Sequence, residues 1–352
     1  MQAENPKTES PDINVLVIGA GGVGVITTVA LTRANKCNVH LVIRSDYKIV
    51  KERGYDINSC DYGHLVNWKP NYFYNNITNA CASNIFFDYI VVTTKNIPDG
   101  PKEVTVPAII SPLVQSNYGL DPNKNMNIVL IQNGIDIEKE IFTRFNDPKL
   151  KLSVLSGIQL IGSSRIAPGV INQVGQDQLS IGSFKSSDKV ANNAAQKFVE
   201  IYENPNINHV EFDPRVRFSR WKKLLYNSVL STISTVVDLD TSHCFTLSSK
   251  EFDTEKTLFR PAMHEIIDIA QSENIIIDEQ IIEFFINGSK TMDYKPSMCL
   301  DKEKNQLMEL EVTLGNPLKI AKKNGINTPI LNLVYTLLYL EQSKIKQKKD
   351  SL

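Results

Sequence analysis

Charge of a dominant sign is missing from this chain: 38 lysines and arginines stand against 39 aspartates and glutamates, for a net charge of -1. Without a surplus there is no global field to recruit nucleic acid or an anionic membrane, so neither is an expected partner and function must reside in a local site. Paired cysteines are missing too. The five present, Cys37, Cys60, Cys81, Cys244 and Cys299, are scattered without a close pair. That spacing fits neither a disulfide framework nor a zinc site, so a reducing, cytoplasmic setting is expected and no metal is. Long apolar runs are absent as well, none approaching the roughly 20 residues that span a bilayer. Residues 1–11, MQAENPKTESP, have neither the apolar core of a secretory signal nor the acid-free character of a transit peptide, and read as a disordered tail. At the other end Lys344 to Lys349 read as a frayed, solvated terminus, and Asp350-Ser351-Leu352 lacks the lysine of a peroxisomal tripeptide.

What is there divides in two. A chain of 352 residues exceeds one typical core. Over 12–212, β-rich runs (Ile13 to Ile18, Val39 to Ile43, Tyr89 to Thr94, Ile128 to Ile131) alternate with helical stretches, the signature of an open parallel sheet. A cluster of strands from Leu152 to Phe184, with turn signals at Ala167-Pro168-Gly169 and Gly175, is expected to add an antiparallel hairpin to the sheet edge. After Asp213-Pro214 strand patterns vanish. Segments of helical period follow at about 214–237, 254–273, 277–288, 300–323 and 328–343, so 213–343 is expected to be an all-α domain and 344–352 a basic tail.

Gly19-Ala20-Gly21-Gly22-Val23-Gly24 matches the spacing G-x-G-x-x-G, and its setting gives the match weight. It follows an apolar strand and opens a helix of small and apolar residues, where unpaired amides face an anion and Gly21 lets the backbone approach a pyrophosphate. The first domain therefore reads as a Rossmann-type α/β unit that binds a dinucleotide. The second strand delivers Arg44 and then Ser45, a guanidinium beside a hydroxyl that suits an adenosine 2′-phosphate and favours NADP(H). The alternative is a plain surface arginine, with Asp46 as helix cap or displaced ribose ligand. Two further strand ends, Thr94-Lys95 and Gln132-Asn133-Gly134, place polar groups at the edge where ligands sit in such sheets. Lys95 could meet a phosphate or a carboxylate there, and Asn133 could bridge ribose and substrate; a loop lysine and an ordinary Asn-Gly turn are the plainer alternatives.

In the second domain Lys223, Asn227 and Ser231 recur every fourth residue inside an otherwise apolar helical stretch and so share one face. A polar stripe in an apolar helix costs free energy unless each group finds a partner, which points to a small polar ligand.

These blocks, with Trp221-x-Lys223-Leu224-x-x-Asn227 and Pro296-Ser297-Met298 leading to Asp301 and Glu309, resemble the ketopantoate reductase family over Ile13 to about Leu340. The resemblance implies NADPH-dependent reduction of a 2-oxo acid, ketopantoate first among them. It implies Lys223 as the proton donor and Glu309 as the group that orients it. Ser297 would bind the substrate carboxylate and Asn227 a hydroxyl, while Gly19 to Gly24, Arg44, Lys95 and Asn133 would serve the cofactor. An unbroken helix would hold Ser297 and Glu309 roughly 18 Å apart, so the chain is expected to bend near Asn305, where the family has glycine, with Ser297 in the preceding turn.

Departures bear on the substrate. Ser231 stands where the family carries a second substrate-binding asparagine, Gln306 replaces a common arginine, and Thr241 falls where another asparagine occurs. These changes leave room for a different 2-oxo acid. A 3-hydroxy-acid or polyol-phosphate dehydrogenase shares the layout but explains Ser297 and Glu309 less well, and a non-catalytic NADPH sensor would not need Lys223. The amphipathic helices leave room for a homodimer.

Overall fold

Short β-branched runs become the strands, because such side chains pack well on a pleated, two-sided surface. The computed structural model describes residues 12–291 and 293–350; the tail expected over 1–11 lies outside the described residues. The strands are β1 (Asn14–Ile18), β2 (Asn38–Val42), β3 (Tyr55–Ser59), β4 (Gly63–Trp68), β5 (Tyr72–Tyr74), β6 (Tyr89–Val92), β7 (Met126–Ile131), β8 (Leu152–Leu160), β9 (Ser163–Ala167), β10 (Val170–Gln173), β11 (Gln178–Ser183) and β12 (His209–Phe212). Contacts divide the described chain into two compact units. One holds the residues up to Thr94, 106–132 and 141–216; the other holds 95–105, 133–140 and everything from Arg217 onward.

The first unit is built on an eight-stranded sheet in the order β12-β11-β8-β7-β6-β1-β2-β5. Its pairs are parallel except β8 with β11. Strands β6 and β7 are buried along their whole length, as expected where helices cover both faces. Val15, Val17, Val91, Val129 and Leu155 join residues of the helix Gly22–Ala34 and of Lys189–Tyr202 in one core.

One expectation is corrected here. The β9–β10 hairpin does not extend the edge of this sheet: β10 pairs in parallel with β3, forming a separate four-stranded sheet β4-β3-β10-β9. Alternation reveals a strand but not its partner, and β4, exposed along most of its length, carried too little apolar alternation to be read at all. The antiparallel addition to the main sheet is β11 beside β8.

The second unit is helical around a core with Trp221, Leu225, Met263, Ile266, Leu314 and Leu338. The stretch read as one helix over 214–237 is Val216–Leu224, a wide π turn Leu225–Ser231 and Thr232–Val237. Single π turns inside helices recur at functional sites, since the extra residue per turn re-aims side chains. The expected interruption at Asn305 is present. The helix Ser297–Glu303 ends, Asn305 takes a left-handed φ of 50°, and its amide and that of Gln306 donate to Lys302 and Asp301 carbonyls at 2.9 and 2.8 Å. Ser297 itself opens that helix, directly after Pro296, rather than lying in a turn before it. The last helix, Pro329–Asp350, also runs further than the frayed end expected from Lys344 onward: Ile345 is buried and Lys346 Nζ lies 2.6 Å from Asp99.

Candidate active site

At the end of β1 the chain turns through Gly19 at a φ of 112° and enters the helix Gly22–Ala34. A side chain at Gly24 would meet the Gly19 carbonyl at 1.9 Å, so close packing of helix start on strand end demands glycine there. At Gly21, by contrast, nothing lies within 4 Å of an added Cβ, which leaves the backbone of the turn open to a ligand. Ala20 and Val23 are partly buried against the core, while Gly21 is exposed. The first helical turn has no acidic residue, so its amides face an anion unopposed.

Beyond β2, Arg44 and Ser45 are exposed and Asp46 is buried. The Asp46 carboxylate accepts from the Arg165 guanidinium and from the Gly169 amide at 3.0 Å. It is therefore occupied by protein partners, whereas Arg44 has no ion pair among the described residues. Together with the glycine turn, these groups could hold a dinucleotide, NAD(P)H in this fold.

The other unit gathers the polar residues singled out in the sequence. The chain from Asn133 to Glu140 belongs to this unit, and its first residue is the hub. Lys223 Nζ donates to Asn133 Oδ1 at 2.9 Å, Asn227 Nδ2 reaches the same oxygen at 3.3 Å, and Asn133 Nδ2 donates to Glu309 Oε2 at 3.1 Å. The amide thus links an ammonium to a carboxylate, its oxygen toward the cation and its nitrogen toward the anion. The other Glu309 oxygen accepts from the Asn96 amide at 2.9 Å. Lys95 Nζ lies 2.6 Å from Asp301 Oδ2 and 3.9 Å from Glu309 Oε2.

The turn is pinned from several sides. Gly134 has a φ of 97° and packs so closely on Val312 that an added Cβ would meet its carbonyl at 2.5 Å. The Ile135 amide donates to that carbonyl at 3.0 Å, and Arg220 donates to the Gly134 carbonyl at 3.1 Å while pairing with buried Glu138 at 2.8 Å.

Surroundings set the charges. Burial, then the neighbouring Arg220 guanidinium, lowers the Lys223 pKa from 10.5 to about 8, with Glu309 opposing. Burial also pulls Lys95 down, but the carboxylates of Glu309 and Asp301 outweigh it and raise its pKa. Two lysines within one cluster are thereby held differently, one as a stable cation and one near its titration point.

Lys95, Asn133, Asn227, Ser231, Ser297, Met298, Asp301, Glu309 and Thr313 line a small, open cavity. Ser297 and Glu309 share it because the chain breaks at Asn305, as the spacing argument required. Lys95, placed by sequence among the cofactor residues, stands in this cavity beside Asp301. Thr241 instead donates to the Tyr294 carbonyl at 3.3 Å, and Gln306 is exposed. Two participants escaped the sequence reading. Thr313 could have been found from its helical spacing of four from Glu309, but the Asn96 amide, a backbone group, leaves no sequence signal.

Residues 15–186 match the family model described as ketopantoate reductase PanE/ApbA, and 215–342 match its C-terminal counterpart. An uncharacterized protein of Saccharomyces cerevisiae is 52% identical over 96% of both chains. The crystal structure of 2-dehydropantoate 2-reductase from Methylococcus capsulatus superposes with a TM-score of 0.76 at 28% identity, covering 95% of this chain and 98% of that one. A ternary structure of D-mandelate dehydrogenase with NADH and anilino(oxo)acetate shares the fold, with a TM-score of 0.75 at 17% identity over 95% and 99% of the two chains. An α/β Rossmann-type unit followed by helices is the layout of a class of oxidoreductases that act on CH–OH groups. Within that class the chain belongs to the ketopantoate reductase family.

Proposed function

We propose that this protein reduces a 2-oxo acid to the corresponding 2-hydroxy acid with NADPH, and that 2-dehydropantoate, giving pantoate for coenzyme A synthesis in the cytoplasm, is the first substrate to test. The observation that carries the reading is the Lys223–Asn133–Glu309 chain beside a cavity lined by Ser297, Asn227 and Ser231. Family membership supports the reaction class.

NADPH, when bound, supplies the hydride; Gly19 to Gly24 would hold its pyrophosphate and Arg44 its 2′-phosphate. The remaining chemistry belongs to side chains. The Lys223 ammonium donates a hydrogen bond to the ketone oxygen and passes it a proton as negative charge develops, which favours the transition state over the neutral ketone. An amine lowered to about 8 gives up that proton more readily than an ordinary lysine. Glu309, through Asn133, fixes the direction in which the ammonium points. Ser297 and Lys95 supply a hydroxyl and a cation for the substrate carboxylate, and Asn227 and Ser231 face its remaining groups.

A second reading keeps the reaction and changes the substrate. Ser231 and Met298 give the cavity a shorter donor and an apolar wall, and losing a directed hydrogen bond typically costs about 1 kcal/mol. The test for both readings is NADPH oxidation by the purified full chain across a panel of 2-oxo acids, ketopantoate included. Turnover with ketopantoate supports the first, turnover with another member supports the second, and cofactor binding without any turnover contradicts both.

A further inference from the structure

A carboxylate close to the end of the second strand of a dinucleotide fold normally receives the ribose hydroxyls of NAD and repels a 2′-phosphate. This chain has one, Asp46, two residues past Arg44. Asp46 is only 2% exposed, and both its oxygens are taken. Oδ1 accepts from Arg165 Nη1 on β9 and Oδ2 accepts from the Gly169 amide in the turn that joins β9 to β10. Both partners come from one hairpin of the smaller sheet. The same guanidinium comes within 3.4 Å of Ser45 Oγ and keeps 35% of its side chain exposed.

The hairpin is fixed in place relative to the glycine turn. Gly22 lies against the backbone of Ser163 and Ser164, where an added Cβ would sit 2.5 Å from the Ser163 carbonyl. Arg165, one residue further along β9, is therefore held on the nucleotide side of the first unit.

We propose that Arg165 is a determinant of cofactor choice: by neutralising and covering Asp46 it removes the charge that would select NAD, and with Arg44 and Ser45 it makes the end of β2 receptive to a 2′-phosphate. This deepens the NADPH assignment above and rests on it. Arg44 alone would face a phosphate with an uncompensated carboxylate two residues away. With Arg165 in place the local balance of Arg44, Asp46 and Arg165 is one positive charge instead of none. The hairpin thus acts as the selector, although its guanidinium is more than a hundred residues from the glycine turn in sequence.

The test is the dissociation constant of NADPH and of NADH, read by nicotinamide fluorescence on the full chain, for wild type, Arg165→Met, Asp46→Asn and the double variant. Arg165→Met is expected to weaken NADPH by about tenfold or more, the scale of one unbalanced charge near a phosphate. NADH should be unchanged or tighter. The double variant should recover most of the NADPH affinity, because the exposed carboxylate is gone. Asp46→Asn alone should bind NADPH at least as tightly as wild type, and that arm stands even if Arg165→Met does not fold. Equal weakening of both cofactors by Arg165→Met, or a double variant no better than the single, would overturn the proposal and leave Arg165 a scaffold residue. So would an Asp46→Asn protein that loses NADPH. A wild-type chain that prefers NADH would overturn the NADPH assignment itself, and this proposal with it.

Discussion

Lys223 is an amine whose surroundings work against its charge. Burial and Arg220 lower its pKa to about 8, and Glu309 works in the opposite direction. Ketone reduction needs the protonated amine, whose fraction falls as pH rises through about 8. The pH profile of kcat/KM for reduction is therefore expected to be level below that value and to fall about tenfold per unit above it. Glu309→Gln should move the fall to lower pH, because it removes the carboxylate that favours the charged form. A profile flat to pH 10 would contradict the assignment of Lys223 as the acid. The residue was legible from sequence because a cation, an amide and a hydroxyl at helical spacing stand out in an apolar stretch. Its hydrogen-bond partner was not, since the pairing of Asn133 with Lys223 spans 90 positions.

At the scale of elements, the site depends on two departures from regular helix. The π turn at Leu225–Ser231 carries Asn227 and Ser231 to the cavity, and the break at Asn305 folds Ser297 back toward Glu309. Asn305→Ala should cost roughly 1–2 kcal/mol, the penalty for left-handed backbone without glycine or asparagine, while Asn305→Gly should be tolerated. Urea unfolding measures both, and equal stability of the two variants would show that the turn carries no strain. The break was legible because an unbroken helix was too long for two residues to share a small ligand. The π turn was not, since its residues keep an ordinary apolar pattern and only the hydrogen-bond register distinguishes it. Among the strands, β1, β2, β6 and β7 were read from apolar runs, whereas β3 to β5 and β12 were missed and the β9–β10 hairpin was assigned to the wrong sheet.

Across the whole molecule, the two compact units do not follow the chain in linear order. Residues 95–105 and 133–140 interrupt the α/β unit in sequence yet group with the helical one, so Lys95 and Asn133 join residues near 223 and 309. A linear change in composition at Asp213-Pro214 could not show this, because the grouping is made by contacts between distant segments. One such contact is the buried pair Arg220–Glu138, with side chains 3% and 0% exposed. Glu138→Gln should destabilise the protein by about 3–5 kcal/mol, since it removes the carboxylate that pairs with this buried guanidinium. Urea denaturation would register that loss, and a change under 1 kcal/mol would show that the pair contributes little.

Proton supply by the Lys223 ammonium is the step on which the proposed nicotinamide-driven reduction stands. It is tested most directly by comparing Lys223→Ala with wild type in single-turnover NADPH oxidation on whichever 2-oxo acid the panel identifies, with NADPH affinity measured alongside. A loss of at least about a hundredfold in rate is expected, the usual contribution of a positioned acid, with NADPH affinity essentially unchanged. A variant that still oxidises NADPH at the wild-type rate would contradict it.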